Sequence, residues 1–169
     1  MNKIFLALIV STLLSYSCTN KSNESKMKVQ INVVEKLDPD KFKGQKGTFY
    51  SANINLINNT DSVTHFWIMS CSWQDNWIFN YDNMHLYNGG CDKNIPKLRH
   101  IERGQTLNFN GIVQILDTLT ITNQKDLLLG FVIIKEPEIL GVTDFKSVLI
   151  DKINNRKDII WSDTFKINK

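Results

Sequence analysis

Residues 50–56 read Tyr50-Ser51-Ala52-Asn53-Ile54-Asn55-Leu56, apolar and polar side chains in strict alternation. Successive side chains of a strand point to opposite faces, so this period of two sets one face on a core and the other in solvent. The same period recurs on both sides. Upstream, Val29, Ile31 and Val33 alternate with Lys28, Gln30 and Asn32, and Leu37-Asp38-Pro39-Asp40 ends that strand in a turn. Downstream, Asn58-Asn59-Thr60-Asp61 is rich in residues that bond their own backbone or tolerate left-handed angles, which marks the next turn. Residues 63–71 are apolar on both faces. After them Trp73, Asp75, Trp77, Phe79 and Tyr81 are expected on one side of a further strand, with Gln74, Asn76 and Asn80 on the other.

Farther along, Asn88-Gly89-Gly90 marks a turn and Pro96 argues against central pairing, because proline has no N–H for the ladder. Glu102-Arg103-Gly104-Gln105 is a turn leading into a strand where Leu107, Phe109, Val113 and Ile115 alternate with polar residues. Residues 127–134 form an apolar run broken only by Gly130, as expected of a strand covered on both faces, and Lys135-Glu136-Pro137-Glu138 closes it. Ile159, Trp161, Phe165 and Ile167 give the last strand. One helical pattern lies between: Asp144 is expected to cap a short helix near 144–153 with Phe145, Val148, Leu149 and Ile153 on one face. Seven or eight short strands without βαβ alternation predict an all-β fold, an antiparallel immunoglobulin-like β-sandwich. The same spacing would suit a jelly roll or a partly closed barrel, and strand order stays open.

The N-terminus says where the chain goes. Met1, Asn2 and Lys3 carry one positive charge, residues 4–14 are almost all apolar, and Ser15-Tyr16-Ser17 leads to Cys18. The apolar run is too short to span a bilayer. The arrangement resembles a lipoprotein signal of residues 1–17, with Cys18 the lipidated residue and 18–26 a flexible polar tether before a single domain over 27–169. It departs from that pattern in having Ser15, not leucine, three places before the cysteine. Ser15 and Ser17 also satisfy an ordinary signal peptidase, which would leave a secreted chain with a free N-terminal thiol.

Cysteine usage fits export. Three cysteines are an odd number, but assigning Cys18 to a lipid leaves Cys71 and Cys91 to form a disulfide in an oxidising compartment. The formal net charge is only +3 and the basic residues are scattered, so the footprint of a nucleic-acid binder is missing. His65, His85 and His100 are too dispersed for a zinc motif, and Asp75, Asp82 and Asp92 do not form a calcium loop, so no metal is expected. No nucleophile elbow, His-Glu-x-x-His or phosphate loop occurs, and Glu136 and Glu138 read as loop charges; catalytic residues and cofactors are expected to be none.

Any local function is expected to concentrate between Cys71 and Cys91. Trp73, Asp75, Asn76 and Trp77 are the candidate ligand-binding residues: alternating aromatics either fill a sandwich core or form a platform on which a sugar ring stacks beside amides and carboxylates.

Cys71-Ser72-Trp73 with Asn76-Trp77, then Cys91-Asp92-Lys93-Asn94-Ile95-Pro96, then Ile160-Trp161-Ser162 resemble small lipoproteins of Gram-negative bacteria with an Ig-like β-sandwich domain. That family carries no assigned activity, so the resemblance implies an exported Ig-like domain and no catalytic residue. Arg103-Gly104-Gln105 before a strand is loosely similar to bacterial Ig-like proteinase-inhibitor domains. The expectation is a non-catalytic protein of the cell envelope, lipid-anchored through Cys18 to a membrane, the outer membrane being expected. It would bind an envelope or surface protein through a strand edge or through residues 71–91. A glycan bound by residues 71–91 is the alternative, and protease inhibition a third.

Overall fold

A computed structural model describes residues 26–116, 126–135 and 142–167. The leader, Cys18 and the tether up to Ser25 lie outside the described residues, as do Glu136, Pro137 and Glu138. The strands are β1 (Met27–Lys36), β2 (Thr48–Asn58), β3 (Thr64–Met69), β4 (Trp77–Phe79), β5 (Met84–Leu86), β6 (Pro96–Ile101), β7 (Thr106–Ile115), β8 (Leu129–Val132) and β9 (Ile159–Trp161). Among the described residues one α-helix, α1 (Val142–Asn154), falls between the last two. The chain is an all-β antiparallel sandwich with more, and shorter, strands than the sequence predicts.

One layer has the order β1-β2-β7-β5. Its register sets Val29 against Leu56 and Ile31 against Ile54, then Leu56 against Leu107 and Ile54 against Phe109, so the alternating apolar residues share the inner face. The other layer is made of two pieces, β3-β6 and β4-β8-β9. They meet along one edge of β8. Trp77, Ile78 and Phe79 pair with Phe131, Gly130 and Leu129. Past the end of β4, the Trp67 N–H of β3 donates to the Ile134 carbonyl at 2.8 Å.

Phe66, Ile68, Trp77, Phe79, Leu129, Phe131 and Ile133 fill the space between the layers with the inner face of the first sheet. Met69, Val132 and Ile134 face the other way and are covered by Phe145 and Leu149 of α1. This is why residues 127–134 are apolar at every position: one side meets a sheet and the other a helix. Burying Phe145 and Leu149 stabilises the helix contact by about 1.5–3 kcal/mol each. Asp144 lies within the first turn of α1, two residues after Val142, and so does not cap it as the sequence reading had it. Gly130 is where packing is tightest. A Cβ there would stand 2.6 Å from Ile159 Cγ2 and 2.9 Å from Trp161 Cε3, so only glycine lets the β9 side chains cross β8.

The turns expected at residues 58–61 and 102–105 are present with their partners. Fully buried Asn58 donates from Nδ2 to the carbonyls of Ser62 (2.8 Å) and Ile101 (2.9 Å), and its Oδ1 accepts from the Thr60 N–H at 3.0 Å. The Gln105 N–H donates to the Glu102 carbonyl at 3.0 Å, closing the turn before β7. Two expectations are corrected. Residues 73–81 are not one strand: Trp73–Asn76 is a 3-10 turn, stabilised by the Ser72 hydroxyl donating to the Asp75 carboxylate, and only Trp77–Phe79 extends. The last strand ends at Trp161, because Ser162 leaves to make a parallel bridge with Val29 of β1.

Candidate functional site

Cys71 and Cys91 form a disulfide with Cα atoms 6.1 Å apart. The bridge fastens the end of β3 to the segment entering β6, and side chains reinforce it. Asn94 Oδ1 accepts from the N–H groups of Cys71 (3.2 Å) and Ser72 (3.1 Å), and Ser70 Oγ accepts from the Ile95 N–H (3.1 Å). The long connection is thus held flat against the strand pair that it joins.

Inside it the candidate ligand residues separate. Trp77 is 4 % exposed and packs against Phe131 and Phe109, with ring centroids at 4.8 and 5.5 Å. Asn76 is wholly buried, its Nδ2 donating to the carbonyls of Trp67 and Val132, each at 3.1 Å. Asp75 is exposed and accepts from Ser72. Asn80, a further amide of this segment, donates to the Asp126 carbonyl and accepts from the Leu128 N–H, both at 2.8 Å. Trp77 and Asn76 therefore offer no surface to a ligand, and no aromatic platform spans Trp73 and Trp77.

Trp73 remains at the surface, half-buried with its ring 5.0 Å from that of Phe109. It is one wall of a cleft of about 200 Å3 at the mouth of the sandwich, also lined by Phe66, Ile68, Leu107 and Phe109, with Lys97 and Arg99 of β6 beside it. How β6 pairs explains those two cations. The Ser70 N–H donates to the Ile95 carbonyl at 2.8 Å, which sets the phase of the ladder. Lys97 and Arg99 turn their backbone toward β3, opposite Ile68 and Phe66, and their side chains share the inward face with those two. Leu98 and His100 turn N–H and C=O to the outer side, where no described strand pairs, and Pro96 turns its missing N–H there too.

Lys97 and Arg99 are both exposed, and neither makes an ion pair with a described residue. Inward-facing cations are a device that keeps an edge strand from pairing with a copy of itself. Here they also place positive charge above an apolar opening. The sequence shows the Lys97-Leu98-Arg99 alternation, but which face turns inward depends on pairing with β3 and is not legible locally.

No family model matches the sequence, and no curated protein matches it. Among solved structures, the crystal structure of a FixG-related protein from Vibrio parahaemolyticus is similar over 83% of this chain and 97% of that one, at 11% identity and a TM-score of 0.32. A likeness that distant carries no argument about function.

The remaining chemistry of the described residues is sparse. No group of three or more His, Cys, Asp or Glu residues is placed to hold a metal, and no helix among them is long and apolar enough to cross a membrane. His65 and His100 face each other across β3 and β6 with ring centroids 6.0 Å apart, and His85 Nε2 bonds Gln114 Oε1 at 2.8 Å. The one clear pKa displacement is at Asp158. The hydrogen bond from Lys152 Nζ, at 2.6 Å, holds its carboxyl below the ordinary value. That pair ties the end of α1 to the start of β9, away from the cleft.

Proposed function

We propose that this chain is a non-catalytic envelope protein, anchored to a membrane by lipid on Cys18. Its sandwich binds an extended acidic segment of another envelope protein along the free edge of β6. The observation that carries the reading is the pair Lys97 and Arg99, unpaired and inward-facing above the apolar cleft at Trp73. A strand added outside β6 would find backbone partners at Leu98 and His100, and its own inward side chains would fall beside the two cations and the cleft. A cavity of about 150 Å3 accepts a benzene ring, so one aromatic or branched side chain fits here and neighbouring carboxylates would meet Lys97 and Arg99. A second copy of β6 would bring like charges together. The disulfide supports export, since such bridges persist in oxidising compartments.

Display of random extended peptides against the oxidised protein tests the site. Asp or Glu two positions from an aromatic should be enriched, and Lys97→Glu with Arg99→Glu should invert the preference to basic peptides. No enrichment of acidic sequences would refute it. The anchor is tested apart from the site, by intact mass of the protein from its native envelope: loss of residues 1–17 with a lipid on Cys18 is expected, and an intact leader would overturn it.

A further inference from the structure

Three strands of the first layer carry the same short pattern, an amide at two alternate positions: Gln30 and Asn32 on β1, Asn53 and Asn55 on β2, Asn108 and Asn110 on β7. The register turns these pairs into a lattice. Gln30 stands opposite Asn55 and Asn55 opposite Asn108, while Asn32 stands opposite Asn53 and Asn53 opposite Asn110. All six alternate with core residues, so all six side chains stand on the outer face. The two rows are about 7 Å apart along the strands and about 10 Å wide.

Five of these side chains are exposed and Asn55 is half-buried, and none of the six amides bonds to a described residue. The rows contain no ionisable group; charge resumes only at Lys28 on one side and Glu35 on the other. Solubility alone would be served as well by lysine and glutamate. What amides supply instead is acceptors and donors together at zero charge.

Beside these rows lies a second concavity. After β9 the chain passes along the free side of β1, and residues 162–165 close a groove of about 480 Å3 whose wall includes Gln30, Asn32, Asn53 and Asn55. Half-buried Ile31 contributes apolar surface, while Val29 and Phe165 behind it belong to the core. One end of its rim is tied to β8. Ser162 Oγ accepts from the Leu129 N–H at 3.0 Å, and Asp163 is held by Lys28 at 3.0 Å. The volume lies within the roughly 300–1,000 Å3 of ordinary ligand sites, and the lining combines apolar contact with convergent polar groups as such sites do.

We propose that this groove and the amide rows form a binding site for a neutral carbohydrate. Sugar hydroxyls both donate and accept, so amides match them, and the C–H faces of the ring meet half-buried Ile31 at the edge of β1. A charged polymer would find no countercharge in the rows. This site is on the opposite layer from β6 and does not depend on the reading of that edge.

The test is binding of the full chain to an array of neutral, acidic and basic glycans. Neutral glycans should bind, with affinity changing less than about twofold as ionic strength rises from about 0.05 M to about 0.5 M. Asn53→Asp with Asn55→Asp, which keeps side-chain size at surface positions, should weaken binding at least about tenfold while leaving the thermal midpoint in place. Asn32→Ser should weaken it less, and Lys97→Glu with Arg99→Glu should leave it unchanged. Absence of binding to every neutral glycan would overturn the proposal. So would binding that survives Asn53→Asp with Asn55→Asp, or binding confined to charged glycans and lost with salt.

Discussion

Replacing Asn76 by alanine removes an amide that hydrogen-bonds both pieces of the second layer. The β4 ladder sets Ile78 opposite Gly130, so the next ladder position along β8 belongs to Asn76 and Val132, where the chain has already turned away. The side-chain amide takes that place, donating to the Val132 carbonyl and to the Trp67 carbonyl of β3 at 3.1 Å each. The bond to the Val132 carbonyl is buried and that to the Trp67 carbonyl part-buried, and both carbonyls lose this donor with the amide. A buried acceptor left without a donor costs about 1–3 kcal/mol, and two of them with the small void give about 3 kcal/mol in total. For a domain of this size that is a fall of about 10 °C in Tm. Urea unfolding of the oxidised protein, followed by tryptophan fluorescence, measures it. Asn76→Asp should cost more at neutral pH and recover part of the loss in acid, because the carboxylate cannot donate and its protonated form can. A loss below about 1 kcal/mol for Asn76→Ala would refute the account of how the two pieces are joined.

Three further outcomes follow from other junctions. Gly130→Ala forces a methyl group into Ile159 and Trp161 and should destabilise by about 1–3 kcal/mol, whereas alanine at exposed Gly89 should change the urea midpoint little. Cys71→Ser with Cys91→Ser opens a loop with a sequence separation of 20 and should lower stability by about 3 kcal/mol in the loop-entropy model, visible as a lower midpoint in non-reducing urea titration. Asp158→Asn leaves the buried Lys152 ammonium without its carboxylate and should cost about 1–2 kcal/mol, between an exposed and a buried pair because Asp158 is 43% exposed. Because the Asp158 pKa is lowered on folding, its contribution is fully present above about pH 4 and is lost as pH falls through the lowered value. Stability curves of wild type and Asp158→Asn should therefore converge in acid, and parallel curves would sink the assignment.

Alternation was a sound guide where a strand has one wet face. Residues 29–33, 50–56 and 107–115 all place their apolar positions inside, and the doubly apolar run 127–134 is the strand lying between a sheet and a helix. It misled at residues 73–81, because the Ser72 hydroxyl and the Asp75 carboxylate offer the backbone a local turn that periodicity does not register. Amides of residues 71–91 are expected partners for sugar hydroxyls, yet Asn76 and Asn80 are spent on backbone, replacing ladder bonds where the chain leaves a strand. Asn53, Asn55, Asn108 and Asn110 passed as ordinary solvent-facing residues, since a row across three strands exists only once β1, β2 and β7 are in register.

Composition and period alone determined that this chain is an antiparallel β protein with a minor helix, and cysteine number together with the signal-like N-terminus pointed to the Cys71–Cys91 bridge. Both are local or arithmetic properties. Tertiary structure decided that Trp77 and Asn76 are interior, that Lys97 and Arg99 face the cleft, and that six amides share one open face. Each of these depends on which strand lies beside which and in what phase. Pairing is a contact between residues distant in the chain, and a shift of one residue turns every side chain to the other side.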